Sequence, residues 1–111
     1  MQRDLSLLTD MADAARLILQ FREQMSFEQS RSDLKTQSAI IHQFLVIGEV
    51  AKLLSDDFRK SSTEIPWSAM ARMRDKLIHR YRGLDLREIW KAADLEIPKL
   101  LSFLNEHLPE Q

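Results

Sequence analysis

Apolar residues recur at three- and four-residue intervals along nearly the whole chain, the period of amphipathic helices. A first helix is predicted from about Asp4 to Gln24, with the stripe Leu5, Leu8, Ala12, Ala15, Leu19, Arg22. Ser26 to Ser32 is polar apart from Phe27 and reads as a turn. A second helix, from about Asp33 to Leu54, carries Ile40, Phe44, Ile47, Ala51 and Leu54, and its apolar face is widened by Ile41, Leu45 and Val50. Gly48 interrupts that helix at a cost of about 1 kcal/mol relative to alanine. It marks either the close approach of another backbone or a glycine that the helix simply tolerates.

Ser55 to Glu64 is polar, with room for one short helical turn around Phe58. Pro66 suits the first position of a third helix, where its missing N–H would be unpaired anyway, and Gly83 ends that segment. Asp85 followed by Glu88 forms a capping-box-like start for a fourth helix. Its stripe reads Leu86, Trp90, Ala93, Ile97, Leu100, Leu104, with a kink expected at Pro98. These patterns predict an all-α fold, an antiparallel four-helix bundle with a short extra helical turn between helices 2 and 3. At 111 residues the chain is expected to be one domain spanning 1–111.

Composition narrows the chemistry. The absence of cysteine removes disulfide scaffolds, thiolate zinc sites, iron–sulfur clusters and thiol catalysis. The longest apolar run, Phe44 to Gly48, is far short of the ~20 residues of a membrane span, so a cytoplasmic setting without membrane contact is expected. A net charge of −1 excludes a uniformly basic nucleic-acid binder. Yet Arg72, Arg74, Lys76, Arg80 and Arg82 stand against Asp75 alone, placing +4 within eleven residues. That segment is either a solvated helix face or a local anion site.

The third-helix stripe reads Trp67, Met70, Arg74, Leu77, Tyr81, so Arg74 occupies a place where leucine would be expected. It is either an arginine snorkelling at the bundle edge or a guanidinium held where it can bind phosphate bidentately. His79 lies five residues on, about 140° around an ideal helix. A joint site therefore needs the helix to end near His79, or a second copy of the chain to supply one partner. Asp75, four residues before His79, is placed to hydrogen-bond its ring. His42 reads as structural or bundle-edge and His107 as part of the C-terminal tail; the three histidines have no metal-ligand spacing. No phosphate-binding glycine loop, dinucleotide fingerprint or serine-hydrolase elbow occurs.

The segment from Arg74 through His79 to Tyr81 is R-x4-H-x-Y, and it resembles the signature of HepT-like toxins within the HEPN superfamily of small helical ribonucleases. Ile47-Gly48-Glu49-Val50-Ala51-Lys52 resembles that family's I-G-E-A-A-K segment, and Pro66-Trp67, Gly83-Leu84-Asp85 and Asp94-Leu95-Glu96-Ile97-Pro98 fit its layout. Asp75 departs slightly, standing where asparagine is frequent. The resemblance implies the toxin of a type II-like toxin–antitoxin pair: a metal-independent, cofactor-free endoribonuclease. Its catalytic Arg74 and His79 would meet across a homodimer. It also implies an MntA-like minimal nucleotidyltransferase antitoxin as partner, which transfers AMP to Tyr81. The chain lacks the G-S…D-x-D motif of such an antitoxin, which makes it the toxin member.

On this reading RNA is the substrate and its 2′-hydroxyl the nucleophile. His79 handles a proton. Arg74 offsets charge on the phosphorane-like transition state. Asp75 supports the site, and Arg72, Lys76, Arg80 and Arg82 dock the RNA backbone. The competing expectation is a non-catalytic helical dimer that binds a nucleotidyltransferase or a nucleotide.

Overall fold

A computed structural model describes residues 2–79 and 85–109. Among these residues the regular structure is all helical: α1 (Gln2–Glu23), α2 (Phe27–Ser30), α3 (Leu34–Leu53), α4 (Asp56–Ser61), α5 (Trp67–His79) and α6 (Leu86–His107). The four long helices are those predicted from the pattern, and α4 is the expected short turn around Phe58. The chain is a helical bundle in which α1 packs against α3 and α6, and α3 packs against α5.

Two short-range details differ from expectation. Ser26 to Ser32 is not a plain turn but holds the one-turn helix α2. Its signal is a true capping box: the Gln29 N–H donates to Ser26 Oγ at 3.2 Å, and the Ser26 N–H donates to Gln29 Oε1 at 2.8 Å. Conversely, Asp85 caps α6 by accepting from the Arg87 N–H, while Glu88 turns away to pair with Lys76 of α5. Pro66 sits one residue earlier than expected, its carbonyl accepting the first helical bond of α5, from the Met70 N–H. Helix α6 continues on both sides of Pro98. The expected helix-ending Gly83 lies outside the described residues.

The stripes of α3 and α6 are buried much as their spacing predicts, Val50 of the widened α3 face with them; Ile89 and Phe103 are added and Leu86 is only half-buried. In α1 the buried row is Leu8, Met11, Ala12, Ala15 and Ile18, whereas Leu5 stays on the surface. Each fully buried Leu, Ile or Met of this core contributes about 1.5–3 kcal/mol. Arg22, the polar end of the predicted α1 stripe, forms an ion pair with Asp94 of α6.

The α4 corner anchors the start of α5. The Trp67 indole N–H donates to the Ser62 carbonyl at 2.9 Å, and the Trp67 ring packs with Phe58 and Phe103. His107 belongs to the last turn of α6 rather than to a tail; it stacks on Phe103 and its Nδ1 lies 2.9 Å from the Phe103 carbonyl oxygen. Asp4 of α1 is buried and accepts from both the backbone N–H and the hydroxyl of Ser55, at 3.0 and 2.6 Å. Ser55 Oγ in turn accepts from the Phe58 N–H, so α1 and the α4 cap share one relay.

Candidate active site

Gly48 determines how α5 meets α3. A methyl group at that position would lie 2.2 Å from Arg74 Cβ and 2.9 Å from the Met70 carbonyl oxygen, so any larger residue would force the helices apart. Of the two readings open from sequence, close backbone approach is the observed one. The absent side chain lets the base of Arg74 rest on α3, which explains an arginine in an otherwise apolar row.

The guanidinium is then met by carboxylates from two helices. Arg74 Nη2 lies 2.8 Å from Glu49 Oε2 on α3, and Nη1 lies 3.0 Å from Asp75 Oδ1 on α5. Lys52, one turn after Glu49, approaches the same Asp75 oxygen at 3.4 Å. The side chain of Arg74 is 25% exposed, neither snorkelling freely nor sealed in. The hydrogen bond from Arg74 holds the Asp75 carboxyl below its usual range against the opposing effect of desolvation, and Lys52 adds to the lowering. As pairs at the protein surface these contacts add little to folding. Their effect is on where Arg74 points.

Arg74 forms part of the wall of a groove of about 560 Å³ between α1, α3 and α5, shared with Asp10, Asp13, Glu49, Leu53 and Ile78. Leu53 and Ile78 remain 40% and 44% exposed there. His79, the last described residue of α5, is exposed and is not among the residues that line that groove. Five residues along one helix set the two positions about 140° apart around its axis. The expected Asp75–His79 hydrogen bond is not formed among the described residues, because Asp75 is engaged by Arg74 and Lys52 instead.

The cationic residues are also distributed. Arg72 lies across α5 from Arg74, in a separate groove of about 490 Å³ that it shares with Arg59, Lys60, Thr63 and Ser68. Lys76 pairs with Glu88 at 3.4 Å. Arg80, Tyr81 and Arg82 lie outside the described residues. His42 is exposed on α3 rather than packed in the bundle. Among the described residues no three His, Asp or Glu side chains converge as a metal site would require.

Sequence reasoning missed Glu49 and Lys52 as partners of the Arg74–Asp75 pair. A signal was present: two opposite charges three residues apart, directly after a helical glycine. It missed Arg59 and Lys60 as neighbours of Arg72 for want of any local pattern.

Comparison with known proteins follows the same outline. The profile of a family described as "Ribonuclease HepT-like" matches residues 11–107. A protein named "Probable ribonuclease HepT" from Thermococcus cleftensis is 47% identical over 93 residues, covering 84% of this chain and 84% of that protein. A protein from Methanocaldococcus jannaschii, whose name marks it as a candidate RNase, is 37% identical over 99 residues, covering 89% and 82%. No solved structure gives a significant match.

Proposed function

Because this chain belongs to the HepT-like ribonuclease family, we propose that it is a metal-independent endoribonuclease, the toxin member of a toxin–antitoxin pair. The observation that carries this reading is the placement of Arg74, a guanidinium fixed at a groove wall on the helix whose end exposes His79. The ribose 2′-oxygen attacks the adjacent phosphorus, the bond to the 5′-oxygen breaks, and a cyclic phosphate and a free 5′-hydroxyl result. His79 takes the proton from the 2′-hydroxyl or delivers one to the leaving oxygen. Arg74 stabilises the charge that builds on the phosphoryl oxygens. Asp75 supports Arg74 from the same helix.

Because five residues of helix turn Arg74 and His79 about 140° apart, our reading completes the site across a homodimer. The apolar surface of Leu53 and Ile78 beside Arg74 supports this, since a second copy would cover it. Arg72, in its groove with Arg59 and Lys60, docks the RNA backbone, together with Lys76, Arg80 and Arg82. Tyr81 is the acceptor of AMP from a nucleotidyltransferase antitoxin, a role carried over from the R-x4-H-x-Y resemblance. The modification would set negative charge beside Arg80 and Arg82 and compete with RNA for them.

The test is cleavage of total RNA by purified protein in EDTA, with Arg74→Ala and His79→Ala alongside. Wild type is expected to cut and both variants to be inactive while remaining folded. If all three leave RNA intact, the protein is instead a helical binding module.

A further inference from the structure

We propose that Glu49 is a positioning residue for Arg74, acting through the guanidinium and not on RNA itself; the inference rests on the ribonuclease reading above. Arginine reaches its target through four rotatable bonds, and a group free to sweep offers no fixed geometry to a phosphate. Asp75 cannot supply that geometry alone. It is the next residue on the same helix and moves with Arg74. Glu49 belongs to α3, whose Ile47, Val50 and Ala51 are buried in the core, so its 2.8 Å contact refers the guanidinium to the body of the fold.

The two carboxylates occupy opposite ends of the guanidinium, Glu49 at Nη2 and Asp75 at Nη1. Two fixed points on a planar group restrict its rotation. Asp75 takes one guanidinium N–H in a hydrogen bond and Glu49 meets the other end as an ion pair, which leaves further donors for substrate oxygens. Gly48 is part of the same device, because only a residue without a side chain lets Arg74 emerge directly beside Glu49. Lys52 balances Asp75 from the same α3 turn, which keeps that carboxylate from being the sole anchor.

Cleavage kinetics of Glu49→Ala and Glu49→Gln test this, read together with the Arg74 side-chain N–H signals in ¹⁵N NMR, assigned by their loss in Arg74→Lys. Displacing a catalytic group by an ångström can cost about 100-fold in rate. Glu49→Ala is therefore expected to lose about that factor in kcat with little change in KM, and to lose the slowly exchanging Arg74 signal. Glu49→Gln retains an acceptor oxygen at the same reach, so it should recover most of kcat and the signal. Wild-type kcat in Glu49→Ala, or an unchanged Arg74 signal, would overturn the proposal. If wild type does not cleave RNA, the ribonuclease reading fails, while the NMR arm still decides whether Glu49 orders Arg74.

Discussion

Gly48 and Arg74 cross so closely that a Cβ on the glycine would stand 2.2 Å from the Cβ of the arginine. Neither atom lies at the end of a flexible chain, so relief requires movement of α5 as a whole. Gly48→Ala gains about 1 kcal/mol of helix propensity, but overpacking of this severity costs about 1–3 kcal/mol. A net loss of stability is expected, measured as a lower midpoint in urea unfolding, together with displacement of Arg74 from Glu49. A variant more stable than wild type would contradict this account of the crossing.

Asp4→Asn should lower stability at neutral pH by about 1–2 kcal/mol, since hydrogen bonds to an ionised group are lost. The Ser55 hydroxyl, and then its backbone N–H, hold the Asp4 carboxyl below its usual range in the folded chain. The stabilisation from ionised Asp4 is thus complete above the unfolded value of about 3.9 and is lost as pH falls through the lower, folded value. The difference between wild type and variant, followed by denaturation at stepped pH, should shrink below about pH 4.

A composite site predicts complementation. Arg74→Ala and His79→Ala, each inactive alone, should regain partial activity when mixed, because some heterodimers recover one intact Arg–His pair. Absence of recovery after confirmed subunit exchange would rule out a site shared between protomers.

Arg72→Ala should weaken RNA binding with little regard to sequence. Each phosphate contact to a single strand contributes about 0.7 to the slope of log affinity against log salt. Losing one contact should flatten that slope by about this amount, measurable by fluorescence titration across salt concentrations. An unchanged slope would remove the groove of Arg72, Arg59 and Lys60 from the RNA path.

Tyr81 is the only tyrosine in the chain, which makes its modification simple to follow. Co-expression with a cognate nucleotidyltransferase should raise the intact mass by one or more AMP units and silence cleavage. Tyr81→Phe should keep its native mass. An adduct persisting on Tyr81→Phe would mean that another residue is the acceptor.

Much of this fold is legible because apolar spacing is a local property. Ile40, Phe44, Ile47, Ala51 and Leu54 predict the buried face of α3, and five of the six stripe positions of α6 are buried. The stripe of α1 is displaced because alanine and leucine occur on several of its faces, so Met11 and Ile18 compete equally well for the core. Local polar expectations fare worse. Asp75 is within reach of His79 by spacing, but Arg74 and Lys52 take it; Glu88 suits a capping box, but Lys76 takes it. Arg74 is the sequence neighbour of Asp75, but Lys52 and Lys76 each reach a carboxylate from a different helix, which a one-dimensional pattern does not contain. Arg74 itself stands out in the sequence as a charge in an apolar row and as the start of R-x4-H-x-Y. What holds it became visible once α3 lay beneath α5.

The crossing of α3 and α5 has an electrical consequence as well. Lys52, Asp75, Arg74 and Glu49 alternate in sign along their contacts, so the row carries no net charge. Beyond its own length such a row has a weaker far field than a lone guanidinium, while at contact the Arg74 donors still act at full strength. Attraction of a distant polyanion therefore falls to cations without such compensation, and that long-range pull fades over a Debye length of about 8 Å at physiological salt. Salt should then slow encounter far more than it slows turnover of what is already bound.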